Sequence, residues 1–252
     1  MRRGKKLRVL DLFSGIGGFS LGLERTDGFE TVAFCEIDPY CRAVLRKHWP
    51  HVKQYEDVRT LPLARGMADV VTAGFPCQDI SFAGEGAGLA GERSGLWWKV
   101  RRTLRLVRPR VALLENVAAL LHRGMGTVLG SLAAIGYDAE WHCIPLARLG
   151  APHERDRCWI IATNTYETRC KDSQRRHGHA KQNWRSMLTP GHAQRRSQHW
   201  QVEPPLVRVV HGISGQMDGI DPPAVAALGN SASPIQIEII GEAILEAEGM
   251  IA

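Results

Sequence analysis

The chain has 252 residues, 44% of them hydrophobic and 23% charged, a length and balance that suit one sizeable folded unit or one unit with a small appendage. No apolar run approaches the roughly 18 residues a membrane span requires. The basic start "MRRGKKLRV" runs into "LDLFSGIGG" rather than an apolar leader, which points to a cytoplasmic protein that engages no membrane. The net charge of +6 and the pI near 9.2 favour a polyanionic partner, and six cysteines without a C-x-x-C pair argue against a metal site and against a disulfide framework.

In chain order, "LRVLDLF" reads as a buried strand and "GGFSLGLERT" as the start of a helix. "ETVAFCE" is a second strand, and "PYCRAVLRKHW" a second helix with Pro39 suited to a first helical turn. A short third strand leads to "YEDVRT", and "ADVVTAG" forms the fourth. "SGLWWKVRRTLRLV" is a helix, "PRVALLEN" a strand, and another helix runs toward "LAAIGYD". "AEWHCIPLA" and "RCWIIATN" close the series as strands. Strands alternating with helices predict an α/β domain around a mostly parallel sheet. Regularity stops near Asn164, and apolar spacing returns in "AVAALGN" and in "IQIEIIGEAILEAEGM", a terminal helix expected to pack back on the sheet.

Between Thr165 and Trp200, eight Lys or Arg stand against Glu167 and Asp172, so this segment carries the equivalent of the whole net charge. Its composition fits either a solvated, partly disordered loop or a segment that tracks phosphates of a nucleic acid.

The turn "DLFSGIGGFSLGLE" places Gly15, Gly17 and Gly18 between a strand and a helix, where glycines let backbone approach a ligand; a plain tight turn is the alternative. Glu36 ends the second strand some twenty residues on, where a carboxylate binds ribose hydroxyls, and Asp57 follows the third strand, where it can face an adenine amino group. Together they suggest an adenosine-containing cofactor, either a nicotinamide dinucleotide or S-adenosylmethionine. "GFPCQDIS" then sits at the carboxyl end of the fourth strand, the edge at which doubly wound sheets bind ligands. A lone cysteine is most often a small hydrophobe. Cys77, however, follows Pro76, precedes the Gly-rich "FAGEGAGLAGERSG", and should share a rim with Glu115 of "LLENV". A thiolate beside a carboxylate suits addition to carbon 6 of a pyrimidine, which makes carbon 5 a methyl acceptor while the acid holds ring nitrogen 3. Arg155 and Arg157 alternate into a strand and share one face, either as ion-pair partners of Glu154 and Asp156 or as anchors for a base carbonyl and the catalytic loop. Gly229, Asn230 and Ser231 precede Pro234 in what reads as a helix cap.

The ordered blocks "DLFSGIGG", "EIDPY", "GFPCQ", "ENV", "HERDR" and "LGNS" resemble DNA cytosine-5 methyltransferases, in that family's order, from Asp11 to about Glu242. "RVVHGI" and "APHERDRCWI" are most similar to compact members carried by phages and prophages, in a family associated with restriction-modification. The resemblance implies a Rossmann-like, S-adenosylmethionine-dependent α/β domain over residues 1–164, a small basic target-recognition region over 165–210, and a segment over 211–252 returning to the catalytic domain. It implies a monomer acting on double-stranded DNA with the target cytosine flipped out of the duplex. Cys77 would be the nucleophile, Glu115 its acid partner, and Arg155 and Arg157 would hold the flipped base and closed loop. Phe13, Gly15, Gly17, Glu36, Ile37, Asp57, Val58, Pro76, Leu96, Asn230 and Ser231 would line the cofactor site. Ser81, Arg175, Arg176, Arg185, Arg195 and Arg196 would face DNA. His153 stands where the family usually carries glutamine, and the recognition segment is short. A tRNA cytosine-5 methyltransferase and a catalytically impaired DNA-binding relative are the alternatives.

Overall fold

The computed structural model describes residues 5–76, 95–149, 156–165, 223, 227–228 and 230–251. Among these, seven strands form one sheet: β1 (Leu7–Leu12), β2 (Phe29–Cys35), β3 (Lys53–Tyr55), β4 (Val70–Gly74), β5 (Val111–Val117), β6 (Tyr137–Pro145) and β7 (Asp156–Asn164). Their order is β3-β2-β1-β4-β5-β7-β6. The first five run parallel, β7 is antiparallel to β5, and β6 is the edge strand, antiparallel to β7. The helices are α1 (Gly18–Glu24), α2 (Pro39–His48), α3 (Gly95–Val107), α4 (Leu120–Arg123), α5 (Met125–Ala133) and α6 (Pro234–Ala247).

Strands buried on both faces favour apolar residues at successive positions, which is why "VALL" reads as an unbroken run and "VVTA" is interrupted only by Thr72, whose hydroxyl donates to buried Asp11. Alternate side chains then divide between two cores. Leu10, Leu12, Val71, Ala73, Ala112 and Leu114 face α3 and α5, meeting Trp97, Val100, Leu104, Val128 and Leu132. Leu7, Val9, Val70, Val111 and Leu113 face α1 and α6, meeting Phe19, Leu23, Ile237, Ile240 and Ile244. The terminal helix thus packs where its apolar spacing demanded. Gly22 permits that contact, because a Cβ there would stand 2.6 Å from both Ile237 Cβ and the Pro234 carbonyl.

Local signals set several boundaries. Asp38 caps α2 by accepting from the Cys41 N–H at 3.0 Å, with Pro39 in the first turn and Arg46, Lys47 and His48 in the last, where cations complement the helix dipole. The helix expected to run toward Asp138 is shorter: α5 ends at Ala133, Gly136 adopts φ 79°, and β6 begins at Tyr137. A 3₁₀ turn over Leu146–Leu149 follows β6, so that strand ends two residues before Ala147. No helix among the described residues is long and apolar enough to cross a membrane.

Candidate active site

β1 pairs with β2 on one side and β4 on the other, so the chain reverses its direction of sheet building between β1 and β4. In an open α/β sheet the crevice beyond the carboxyl ends of two such strands is the natural ligand site. The Gly-rich turn after β1 and the segment Gly74–Pro76 after β4 flank that crevice.

The turn is built by backbone that most residues avoid. Phe13 (φ 52°), Gly15 (φ 53°) and Gly17 (φ 88°) all lie in the left-handed region. At Gly17 a second constraint applies, since a Cβ would stand 2.7 Å from the Trp49 ring. Trp49 is itself held by its indole N–H donating to Glu24 Oε2 at 2.8 Å. The first glycine directs its N–H to Glu36 Oε2 at 2.7 Å, and the Asp38 N–H donates to Oε1 at 2.9 Å. Both oxygens of Glu36 are thereby oriented by backbone, at the end of β2, with lone pairs left over for hydroxyl donors.

Next to it Ile37 is 64% exposed, a large apolar side chain left open at the crevice. Asp57 lies two residues beyond β3. Arg59 grips it through Nε at 2.8 Å from Oδ2 and 3.0 Å from Oδ1, with its backbone N–H 2.8 Å from Oδ1. These hydrogen bonds, chiefly the side-chain one, hold the Asp57 carboxyl below its ordinary range, and Lys99 of α3 adds to the effect. Val58 is buried, Phe13 and Leu96 are half-buried against the α3 side of the core, and Pro76 is exposed. An oriented carboxylate, an open apolar side chain and a charged acceptor form a donor set that fits an adenosine-containing group: ribose hydroxyls, a planar base and an amino group.

From the far side, the "LGNS" block closes the turn. A Cβ on Gly18 would stand 2.3 Å from the Ala232 carbonyl and 2.6 Å from Ser231 Oγ, so this chain segment rests directly on the start of α1. Asn230 is exposed and Ser231 half-buried. The cap of α6 is Ser233, not Asn230 or Ser231, and its side chain makes no capping hydrogen bond.

The third part of the site is at the end of β5. Glu115 stands opposite Gly74 in the parallel β4–β5 register, and a Cβ on Gly74 would approach Glu115 Oε2 to 3.3 Å, so the glycine makes room for the carboxylate. Arg157 of β7 places Nε 2.7 Å from Glu115 Oε1, with side-chain exposures of 21% and 12%. Its ion pair goes to Glu115, and its contact with Asp156 is to the backbone carbonyl, at 3.0 Å; Glu154 lies outside the described residues. Two further residues that sequence reasoning passed over complete the corner. Gly74 is one. The other is Asn116, 3% exposed, whose amide donates to the Phe75 carbonyl at 2.9 Å and ties β5 to the backbone leading into Pro76. A polar residue directly after a strand-end carboxylate was the available signal, since a buried amide is rarely present without a backbone partner. Cys77, Ser81, His153, Arg155, Arg175, Arg176, Arg185, Arg195 and Arg196 lie outside the described residues.

The model of the C-5 cytosine-specific DNA methylase family matches residues 7–202, more than half of the chain and all of the corner just described. The chain belongs to this family. It is 38% identical over 171 residues to the type II methyltransferase M2.BsuMI of Bacillus subtilis, a match covering 62% of this chain and 42% of that protein. The chain thus spans about two fifths of the length of that relative. Among solved structures it is similar to the Entamoeba histolytica methyltransferase EhMeth, with TM-score 0.61 and 16% identity over 96% of this chain and 99% of the other. It also resembles S. pombe Dnmt2 methyltransferase, with TM-score 0.54 and 19% identity over 72% and 63%. Those two likenesses are of fold alone, that of a methyltransferase-type, Rossmann-like sheet.

Proposed function

We propose that the chain transfers a methyl group from S-adenosylmethionine to carbon 5 of cytosine in double-stranded DNA. The observation that carries this reading is the Glu115–Arg157 pair, set opposite Gly74 on the rim where the chain leads through Pro76 to Cys77. When bound, S-adenosylmethionine supplies the methyl group at this rim. Glu36 would hold the ribose hydroxyls, Ile37 would pack on the adenine, and Asp57 would accept from its amino group. Phe13, Gly15, Gly17, Val58, Pro76, Leu96, Asn230 and Ser231 complete that wall.

The Cys77 thiolate adds to carbon 6 of the flipped-out cytosine, forming a carbon–sulfur bond and shifting electron density to carbon 5. Glu115 hydrogen-bonds or protonates ring nitrogen 3, where charge develops. Arg157 keeps the Glu115 carboxyl aimed, and Arg155 joins it in holding the base. Once carbon 5 is methylated and has lost its proton, the sulfur leaves and cytosine regains its aromatic ring.

Residues 1–164 serve as the catalytic domain, 165–210 as the recognition region and 211–252 as a return to the catalytic domain. Ser81, Arg175, Arg176, Arg185, Arg195 and Arg196 meet DNA, largely through phosphates, with affinity falling steeply as salt rises. The enzyme acts as a cytoplasmic monomer. Its test is covalent trapping: duplex DNA bearing 5-fluorocytosine should form an adduct that requires S-adenosylmethionine and disappears in Cys77→Ala. An adduct that survives in the alanine variant overturns the nucleophile. Methylation of total tRNA in place of duplex DNA, or no release of S-adenosylhomocysteine with either, overturns the substrate.

A further inference from the structure

Two cysteines outside the methyl-transfer machinery face one another across the antiparallel β6–β7 pair: Cys143 stands directly opposite Cys158. Both are free thiols, Cys143 exposed on the edge strand and Cys158 fully buried. Directly opposed residues in an antiparallel ladder have Cα atoms about 4.5 or 5.5 Å apart, and both values lie inside the roughly 4.4–6.8 Å range that disulfides span. The other described cysteines lack such a partner, since Cys35 stands opposite Leu12 and Tyr55, and Cys41 lies on α2.

We infer that Cys143 and Cys158 form an oxidant-accepting thiol pair, a modification site that a peroxide converts to a cross-strand disulfide. The difference in exposure orders the steps. Burial pushes the Cys158 thiol up to about 12, so it stays protonated and shielded while the exposed Cys143 meets the oxidant. The Cys143 sulfur attacks one peroxide oxygen and becomes a sulfenic acid, releasing one water. The Cys158 sulfur then displaces the hydroxyl from Cys143, its proton leaving with that hydroxyl as a second water. Two thiols lose two electrons and two protons, and one hydrogen peroxide becomes two waters. A dithiol reductant reverses the bridge by exchange. The bridge would join β6 to β7 next to Arg157, the residue that grips Glu115.

The inference does not rest on methyl transfer, and its test reads the cysteines directly. The folded chain is treated with hydrogen peroxide at neutral pH, capped with iodoacetamide, digested and mapped by mass spectrometry. The expected product is the Cys143 peptide joined to the Cys158 peptide with two hydrogens lost, reverting to two separately capped peptides after dithiothreitol. Cys143→Ser alters an exposed position, should keep the circular dichroism of the native chain, and should lose the linked species. Cys77→Ala should retain it, so failure of the proposed nucleophile and failure of this site give different results. Three outcomes would each overturn the inference. They are Cys143 over-oxidised without a link, links formed mainly to Cys77 or Cys170, or a link that forms as readily in urea-unfolded chain as in folded chain.

Discussion

Arg157 grips Glu115 across a diagonal of the sheet: the residue opposite Glu115 in the antiparallel register is Trp159, and the arginine, opposite Val117, reaches back to place Nε 2.7 Å from Oε1. Diagonal neighbours on one face lie within reach of long side chains. The pair depends on β7 running antiparallel to β5, because a parallel strand would carry Arg157 away from the carboxyl ends.

Removing the arginine should therefore disable Glu115 while leaving the crevice intact. Arg157→Ala is expected to slow single-turnover methyl transfer by on the order of 10²- to 10³-fold, the usual loss when a group supporting transition-state charge goes. Arg157→Lys should recover little, since an ammonium cannot reproduce the planar fork that reaches the carboxylate. Rates on duplex DNA at saturating S-adenosylmethionine check this, and near-native rates in the alanine variant would remove Arg157 from the site.

Glu36 is expected to act on binding rather than on chemistry. Glu36→Ala deprives the Gly15 and Asp38 N–H groups of their acceptor and removes the carboxylate offered to ribose hydroxyls. Hydrogen bonds to a charged group contribute about 1.5–3 kcal/mol, so affinity for S-adenosylmethionine should fall by roughly 10- to 100-fold. Calorimetric titration measures it, with unchanged affinity as the contrary result.

Much of this corner was legible in the chain because its determinants are local. Strand periodicity, the glycine turn and the carboxylates near the ends of successive strands need only short-range spacing; Glu36 directly follows β2, which ends at Cys35, and Glu115 lies two residues before the end of β5. What escaped was set by register. Alternating elements imply a parallel sheet, and nothing local in "RCWIIATN" states that it enters reversed, between β5 and β6. Sequence alone therefore leaves Arg157 between ion pairs with Glu154 or Asp156 and a base carbonyl with the catalytic loop, and does not name Glu115 as its partner. Gly74 and Asn116 were passed over for the same reason: each acts on a neighbour, Glu115 or the Phe75 carbonyl, that only the sheet brings near. Asp11 was hidden differently, as a strand carboxylate whose complete burial runs against the exposure expected of aspartate.

The packing of α6 on α1 leaves no room for a side chain at Gly22. Gly22→Ala places a methyl 2.6 Å from Ile237 Cβ and from the Pro234 carbonyl, and the backbone atom cannot rotate out of the way. Overpacking of this kind costs about 1–3 kcal/mol, and helix propensity, which favours alanine by roughly 1 kcal/mol, offsets only part of it. The variant should unfold at lower temperature than the native chain by differential scanning calorimetry. A rise in the midpoint would show that α6 shifts freely and is not locked on α1.

Asp11 should give the chain an unusual dependence of stability on pH. Its side chain is wholly buried beneath α1, and its two hydrogen-bond partners are neutral hydroxyls: Thr72 Oγ1 donates to Oδ1 at 2.6 Å and Ser20 Oγ to Oδ2 at 3.0 Å. Burial raises the carboxyl from its ordinary 3.8 to about 7, against the lowering effect of both hydroxyls, and the charges of Glu36 and Glu24 push the same way as burial. Between these two values the folded chain holds a proton that the unfolded chain has released. Stability from this group is thus fully present below about pH 4 and declines as pH rises toward 7, with a limiting slope near 1.4 kcal/mol per pH unit. Most carboxylates contribute in the opposite sense, so the native curve is the sum of both and the contribution of Asp11 must be isolated by difference. Asp11→Asn keeps the shape of the protonated acid and does not titrate; one hydroxyl can go on donating to its amide oxygen while the other turns to accept from its NH2. Urea midpoints from pH 4 to 7 should fall more steeply, or rise less, in the native chain than in the asparagine variant. Parallel curves for the two proteins would mean that Asp11 is ionised in its buried site throughout this range.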